Sequence, residues 1–315
     1  RRSVTVLQSY SVINGRIAKG AEGFPQIEVY ILPDETERNH LINDYGVDEH
    51  TLLSSTDPDE TPRIEFEDNH TAVILKYPKN YSAEDNFLFK VKSMGIFIFP
   101  PERIVIVLDD SVPLFTGRLA SNVKAAQDVL LKTLLQTIRH FETHLRVINM
   151  CSDEIEHEIN KSCGNKNLLN MFTLEKGLVY YVNALNGNRR VIERMKVNAQ
   201  KFGFTEENIE LLDDLAIENR QFLDQAEVYS QVLSGLMDAR ASIINNNLNV
   251  MMKNMNAIVI AISVPTFFTG VFGMSEFTAF LTGSKWFVGY PLFVFAMLLL
   301  ALFIYWLITR SDRNG

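Results

Sequence analysis

Polar and narrow side chains recur at steps of three and four residues along one C-terminal stretch of the sequence. The spacing averages 3.5 residues, which is typical of a helix stripe that faces partner helices in a left-handed supercoil. Polar side chains on such a stripe could face either a water-filled pore or the partner helices themselves. We name this stripe the polar row; it contains no Leu, Ile, Phe or Trp and consists of Asp238, Ser242, Asn245, Asn249, Met252, Asn256, Val259, Ser263, Thr266, Gly270 and Gly273.

Two uncharged segments follow Lys253, and the first of them contains the second half of the polar row. Residues 254–275 and residues 286–309 carry no charged side chain. As a helix, each segment would cover about 30 Å or more, which matches the hydrocarbon core of a bilayer. We therefore predict two transmembrane helices joined by an external loop over residues 276–285, and we exclude a water-soluble protein.

The polar row poses a problem inside the first predicted span, because lipid cannot satisfy polar side chains. One interpretation is close helix–helix packing through small residues, which would account for Ser263, Thr266, Gly270 and Gly273. The other interpretation is a pore, which would also account for Asp238 and for the three asparagines nearer the start of the row. The residues alone leave both interpretations open.

The charge distribution points to cations rather than nucleic acid. The chain carries a net charge of −8. Residues 254–315 contain Lys285, Arg310 and Arg313 against Glu276 and Asp312, a net charge of +1, so residues 1–253 carry −9. Binding to nucleic acid requires a basic face that neutralises phosphates, and an acidic body instead concentrates cations. We expect no nucleic-acid partner.

The secondary structure predicted before the polar row changes from strands to helices along the chain. Residues 1–115 read as short strands with turn residues between them, which predicts an N-terminal α/β domain. Residues 116–253 show helical periodicity and predict a helical stalk, whose last helix begins near Thr205 as its N-cap and runs on into the first span. The predicted strands cover residues 4–10, 27–32, 64–67, 72–77, 87–91, 95–99 and 104–108.

The membrane orientation follows from the basic residues that flank the two spans. Arg240 and Lys253 precede the first span, and Arg310 and Arg313 follow the second, whereas the charges of the connecting loop cancel. Basic residues stay on the cytoplasmic side. We expect both termini, the large N-terminal region and the tail over residues 310–315 to be cytoplasmic, in a plasma membrane or bacterial inner membrane.

The C-terminal third of the sequence resembles the CorA family of magnesium channels. The family signature at the outer end of the first span is Gly-Met-Asn, and this sequence has Gly273, Met274 and Ser275 there. The preceding acidic helices and β-rich region match the family in order and size. The other residues that carry the resemblance are Asp238, Ser242, Asn249, Met252, Pro265, Thr266, Gly270, Val271, Phe272, Gly289, Tyr290 and Pro291.

The resemblance implies an α+β membrane protein that assembles as a CorA-like homopentamer around one pore for hydrated divalent cations. Asp238 would lie in the funnel neck, and Met252, Met255 and Val259 would form an apolar gate. A serine ring would make the mouth wider and less selective than an asparagine ring, so the resemblance does not imply that Mg²⁺ is the conducted ion. The implied pore and selectivity residues are Asn249, Asn256, Ser263, Thr266, Gly270, Gly273, Met274 and Ser275.

The resemblance also implies a regulatory divalent ion bound between subunits. Asp214, with Asp213 beside it, matches the stalk position of that site, and Glu84 or Asp85 of the neighbouring subunit would complete it. The alternative is that the two aspartates belong to a solvated helix face, and the sequence favours neither interpretation.

Other motifs give little support for an enzyme. The sequence contains no P-loop and no dinucleotide-binding or nucleophile-elbow motif, so we expect no ATP coupling, no organic cofactor and passive flux. His140 and His144 have the spacing of two metal ligands on one helix, but we expect a surface pair. Two functions stay open: a channel for Mg²⁺, Co²⁺, Ni²⁺ or Zn²⁺ gated by cytoplasmic divalent cation, and a non-conducting membrane-anchored sensor or scaffold.

Overall fold

The computed structural model describes residues 6–20, 26–82, 85–112, 114–115, 120–161, 165–273 and 286–311. The chain divides into two compact units, Arg1–Met237 and Asp238–Gly315. The first unit contains a mixed sheet with helices on both faces, and the second contains the apolar helices.

Within the described residues, seven strands form one sheet in the order β2-β1-β3-β7-β6-β5-β4. Only β3 and β7 pair in parallel, and the other neighbouring strands are antiparallel. The strand bounds are β1 Val6–Ile13, β2 Arg16–Lys19, β3 Ile27–Ile31, β4 Arg63–Phe66, β5 Thr71–Pro78, β6 Val91–Phe99 and β7 Arg103–Leu108.

The sheet buries both faces, because successive side chains of a strand point to opposite sides. On β7, Ile104 and Ile106 join the core formed with the long helices α3 (Ala126–Lys161) and α4 (Asn165–Val197). Val105 and Val107 point the other way and pack with residues of two short helices, α1 (Glu35–Asn43) and α2 (Glu49–Ser54). The predicted N-terminal α/β domain is confirmed.

One predicted strand is wrong. Residues 87–91 are apolar enough for a strand, but Asn86 and Phe87 have φ values of 46° and 65°. Extended backbone cannot pass through this left-handed region. The chain therefore turns here and β6 begins at Val91.

The turn before the longest helix is built as the sequence indicates. The short helix α5 (Ala199–Phe202) ends at Gly203, whose φ of 68° is easily adopted only by glycine. The backbone N–H of Asn208 donates to Thr205 Oγ1 at 3.2 Å, and the backbone N–H of Thr205 donates to Asn208 Oδ1 at 3.1 Å. Thr205 is thus the N-cap, as predicted, and α6 spans Glu206–Phe272.

Two helices within the described ranges are long and apolar enough to cross a membrane. They are α6 and the Gly289–Ile308 part of α7, which spans Trp286–Ser311. Each contains one proline, Pro265 in α6 and Pro291 in α7. A proline inside a helix removes one backbone hydrogen bond and leaves a carbonyl one turn earlier without its usual donor.

Candidate functional site

The C-terminal part of α6 has one buried side within the single chain. Ala257 and Ala261, one turn apart, are only 3% and 5% exposed. On the same side, the ring of Phe272 contacts that of Phe293 in α7, with 5.0 Å between the ring centres. Because Phe272 lies about 40° around the helix from the midpoint of the two alanines, the ring contact indicates that α7 approaches α6 on its buried side.

The polar row lies on the far side of α6. At about 100° per residue, Ser263, Thr266 and Gly270 lie about 140–160° around the helix from the midpoint of Ala257 and Ala261. All three are exposed in the single chain. The polar row is therefore available to other copies of the chain or to water, and α7 does not cover it.

The hydroxyl groups on this surface are oriented by the helix backbone. Ser263 Oγ donates to the Val259 carbonyl at 2.7 Å, and Thr266 Oγ1 donates to the Ile262 carbonyl at 2.8 Å. Each hydroxyl has only one proton, so the oxygen lone pairs face outward as acceptors. Acceptors are the groups that can bind the water shell of a cation.

A shallow groove follows the same part of the polar row. It has a volume of about 530 Å³ and runs along Ser263, Thr266 and Gly270, with Ile262 and Phe267 on its flanks. Gly270 opens the groove, because no atom lies within 4 Å of where a β-carbon would stand. The groove combines two acceptor oxygens with apolar walls.

The inner part of the polar row is also exposed in the single chain. Met252 and Val259 are 60% and 58% exposed, and the neighbouring Met255 is 56% exposed. Asp238, Asn249 and Asn256 are exposed as well, and Gly273 follows the last residue of α6. Met274 and Ser275 lie outside the described residues.

The proposed regulatory residues have different surroundings in the first unit. Asp85 accepts from the amide and hydroxyl of Ser82, both at 2.9 Å, and from Lys79 Nζ at 3.1 Å. Burial raises the pKa of the Asp85 carboxyl, but these hydrogen bonds and the Lys79 charge outweigh it and the pKa is lowered. Asp85 is thus ionised but already neutralised locally. Glu84 lies outside the described residues.

On α6, Asp213 and Asp214 also differ. Asp213 pairs with Lys196 Nζ at 2.5 Å, whereas Asp214 is exposed. Within the described residues of one chain, no three His, Cys, Asp or Glu side chains are grouped as a metal site. Of the candidate residues, Asp214 is the carboxylate best placed to reach a ligand outside its own chain.

The expectation of a surface histidine pair is wrong. His144 is only 7% exposed, and its Nδ1 lies 2.6 Å from the hydroxyl of Tyr181 on α4. The rings of His140 and His144 are 4.5 Å apart in an edge-to-face arrangement. Burial, with a smaller contribution from His140, lowers the pKa of His144 to about 4. The pair is therefore neutral core packing between α3 and α4 at pH 7.

The chain is similar to known proteins over most of its length. The sequence profile of the family described as CorA-like Mg²⁺ transporter protein matches residues 28–310. The cobalt/magnesium transport protein CorA of Methanocaldococcus jannaschii is 24% identical over 253 residues, which are 77% of each protein. The protein of the same name from Thermotoga maritima is 22% identical over 260 residues, 80% of this chain and 73% of that protein.

A solved structure shares the fold over the full length. The complete structure of the CorA magnesium transporter from Methanocaldococcus jannaschii superposes with a TM-score of 0.72 at 20% identity. The match covers 100% of this chain and 99% of that one. It confirms the predicted fold of an N-terminal α/β domain, a long helix and two spans.

The first unit contains a mixed sheet, the long helix α6 has a polar side, and α6 and α7 are the two candidate membrane-spanning helices of the described residues. The chain belongs to the CorA-like Mg²⁺ transporter family, whose profile covers most of its length. Family membership confirms the resemblance found in the sequence and the expectation of a transporter rather than an enzyme.

The buried histidine predicts a stability that falls in acid. The pKa of His144 is lowered in the folded chain from 6.5 to about 4, so the unfolded chain binds more protons between these values. Stability contributed by the neutral ring is complete above about pH 6.5 and is lost as the pH falls towards 4. Between pH 7.5 and pH 5 the loss should be about 2 kcal/mol.

His144→Gln keeps a hydrogen-bonding partner for Tyr181 and removes the titration. We expect its thermal midpoint to fall less between pH 7.5 and pH 5 than that of the wild-type protein, measured on the full chain in detergent. His157→Gln, an exposed histidine on the same helix, is the matched control and should keep the wild-type pH dependence. If the thermal midpoints of all three proteins fell equally between pH 7.5 and pH 5, His144 would not be the source of the acid sensitivity.

Proposed function

We propose that this chain forms a passive divalent-cation channel in which five copies place the polar row of α6 around a central pore. The observation that carries the proposal is that the row lies opposite the side of α6 that packs with α7. Family membership supports a cation as the cargo, and the names of the relatives specify cobalt and magnesium.

The lining of the proposed pore suits a cation that keeps its water. Mg²⁺ dehydrates reluctantly, so acceptors that bind its water shell are more useful than direct ligands. The outward lone pairs of Ser263 and Thr266 are such acceptors, and the amides of Asn249 and Asn256 add more towards the inner end. Gly270, Gly273, Met274 and Ser275 would complete the outer end, where the serine hydroxyl is a shorter and weaker acceptor than an amide.

The gate of the proposed channel is apolar. Rings of Met252, Met255 and Val259 would narrow the pore and exclude water when the five helices are close together, because narrow apolar constrictions dewet. Asp238 would attract cations at the neck on the inner side. We assign residues 254–275 and 286–309 as the spans, with both termini in the cytoplasm.

The gating signal in this proposal is the cytoplasmic divalent ion itself. Residues 1–253 carry −9, which gives about −45 for five subunits. Divalent ions that bridge the subunits would offset this repulsion and hold the funnel closed, and their loss would let the subunits separate. Asp214 is the strongest ligand candidate, because Asp213 and Asp85 are already paired with lysines. Glu84 of a neighbouring subunit is the remaining candidate partner.

A second function is favoured by one specific residue. Ser275 replaces the asparagine of the family signature, and a protein that has lost this ring could persist as a non-conducting sensor or scaffold. Flux into liposomes distinguishes the two functions. A channel conducts at least one of Mg²⁺, Co²⁺, Ni²⁺ and Zn²⁺ above the level of empty liposomes, whereas a scaffold conducts none while remaining pentameric.

The position of Ser275 predicts an effect of Ser275→Asn on ion handling. An asparagine ring adds amide acceptors at the mouth, so we expect greater Mg²⁺ flux and stronger inhibition by hexammine cobalt, a mimic of hydrated Mg²⁺. Both are measured in the same liposomes, with Ser111→Asn, at an exposed serine outside the polar row, as the control that should change neither. Unchanged flux and inhibition in an intact pentamer would place Ser275 outside the conduction path.

The polar row predicts a specific pattern of cross-links. In a background without Cys151 and Cys163, single cysteines at Asn249 and Thr266 should form dimers across the axis when oxidised. Cysteines at Ile260 and Phe267, which are exposed on flanking rows, should do so far less. Similar yields on both sets of positions, read from non-reducing gels, would reject the polar row as the axis-facing surface.

The regulatory proposal predicts protection of the stalk by divalent ions. Millimolar Mg²⁺ should slow proteolysis of the full chain in detergent, and Asp214→Ala should abolish that protection because a ligand is lost. Asp224→Ala, an exposed aspartate on the same helix, is the control and should retain protection. Protection that persists in Asp214→Ala would mean that Asp214 is not the sensor.

A further inference from the structure

A recess lies at the side of the sheet where β4 ends and β5 continues beyond it. Its volume is about 730 Å³, within the range of small-molecule sites. The loop over residues 58–62 forms one wall, α4 forms the other, and the start of β6 closes one end. All of these elements belong to the first unit.

The walls of the recess are held by close contacts between the backbone of α4 and its neighbours. A β-carbon on Gly177 would stand 3.2 Å from Phe89, and one on Gly187 would stand 2.6 Å from Pro62. The two glycines are about 15 Å apart along α4 and bracket the recess. Asn188 also exchanges hydrogen bonds of 2.9 and 2.8 Å with the backbone of Lys76, in place of a neighbouring strand.

Four cations line this recess in a part of the chain that is strongly acidic overall. They are Lys76, Lys90, Lys176 and Arg190. None of these four side chains forms an ion pair with another described residue. Elsewhere in the described part of the chain, eight other lysine, arginine and histidine side chains each have a carboxylate partner. The recess is therefore a local concentration of positive charge.

Lys76 is the most constrained of the four cations, since it is only 6% exposed. Its Nζ donates to the Pro58 carbonyl at 2.6 Å and to Ser93 Oγ at 2.8 Å. Both acceptors are uncharged, and an ammonium group has three donors, so one N–H is left for a ligand. Burial lowers the pKa of Lys76, and the nearby carboxylates of Asp57, Asp59 and Glu60 offset this only in part. An anion in the recess would offset the remaining cost of burying the ammonium group.

The four cations of the recess outnumber its two acidic side chains, Asp59 and Glu60. Glu60 accepts from Arg63 at 2.7 Å and from Ser54 at 2.9 Å, so it is neutralised within its own wall. Asp59 is exposed at the rim. Lysine and arginine side chains converging on a preformed cavity are the groups that proteins use to bind phosphate.

We propose that this recess binds a phosphate-bearing small molecule of mononucleotide size, with its phosphates on the four cations. Tyr180 supports a planar ring on the ligand, because its side chain lines the recess, is 40% exposed and lies under Lys176 at 5.8 Å. Asn183, one turn further on, offers an amide to the ring edge. The concave shape favours a small ligand over the acidic helix of a neighbouring subunit, because a helix about 10 Å wide would contact only the rim.

The test is binding of three probes to the full chain in detergent at a fixed free Mg²⁺ concentration, measured by calorimetry. ATP should bind saturably and more tightly than pyrophosphate, and adenosine should bind most weakly. Lys176→Gln and Arg190→Gln change exposed side chains and should each weaken ATP binding about tenfold. Asn183→Trp keeps every charge but fills the recess and should abolish binding, whereas Lys166→Gln, at the exposed start of α4, should change nothing.

Three results would overturn the proposal. The first is no saturable binding of ATP at millimolar concentration, and the second is ATP binding no tighter than pyrophosphate or unaffected by Lys176→Gln and Arg190→Gln. The third is loss of the oligomer in those two variants without any nucleotide binding to the wild-type protein, which would make the recess a contact between subunits. Binding at this recess does not depend on whether the polar row conducts ions.

Discussion

The inability of lipid to hydrogen-bond is the constraint on which the C-terminal unit depends. It requires α6 to satisfy its backbone internally and to direct its polar side chains away from hydrocarbon. Packing of α7 on the side that carries Ala257 and Ala261 leaves the polar row on the opposite side. The hydroxyl groups of Ser263 and Thr266 meet the same constraint, because each donates its proton to a backbone carbonyl of α6. Their oxygen lone pairs are left facing outward as acceptors. The acceptor oxygens at these two positions can bind cations through their water.

In the N-terminal unit, the candidate metal-binding aspartates differ in whether a lysine pairs with them. Asp85 and Asp213 each form an ion pair with a lysine. The resemblance points to Asp214 with Asp213 beside it, and the sequence alone favours neither a regulatory site nor a solvated helix face for the two aspartates. The structure separates them, because Lys196 at the end of α4 reaches one and not the other. Pairing across helices carries no signal in local spacing, which is why it could not be foreseen.

Local physics explains which parts of the fold could be predicted. The start of α6 at Thr205 depends on a cap within four residues, and the two spans depend on length and apolarity, so both could be read from the sequence. Residues 87–91 were wrongly predicted as a strand because their apolar side chains serve a turn packed on α4, where Phe89 meets Gly177. His144 was wrongly placed at the surface because its partner, Tyr181, is supplied by another helix. The place of Met274 and Ser275 at the outer end of the pore stays a prediction from the resemblance alone.

The helix α4 contributes residues both to the buried histidine contact and to the cationic recess. One side of it carries Tyr181, which packs with His144 and Phe89 in the core. The adjacent side carries Gly177 and Gly187, whose missing side chains let two loops approach closely and so create the recess between them. Filling that recess would press on the same loops that carry Phe89 and Pro62. A ligand there would therefore contact the connection between β5 and β6, which also contains Asp85, so the cationic recess and this residue of the proposed metal site belong to the same connection.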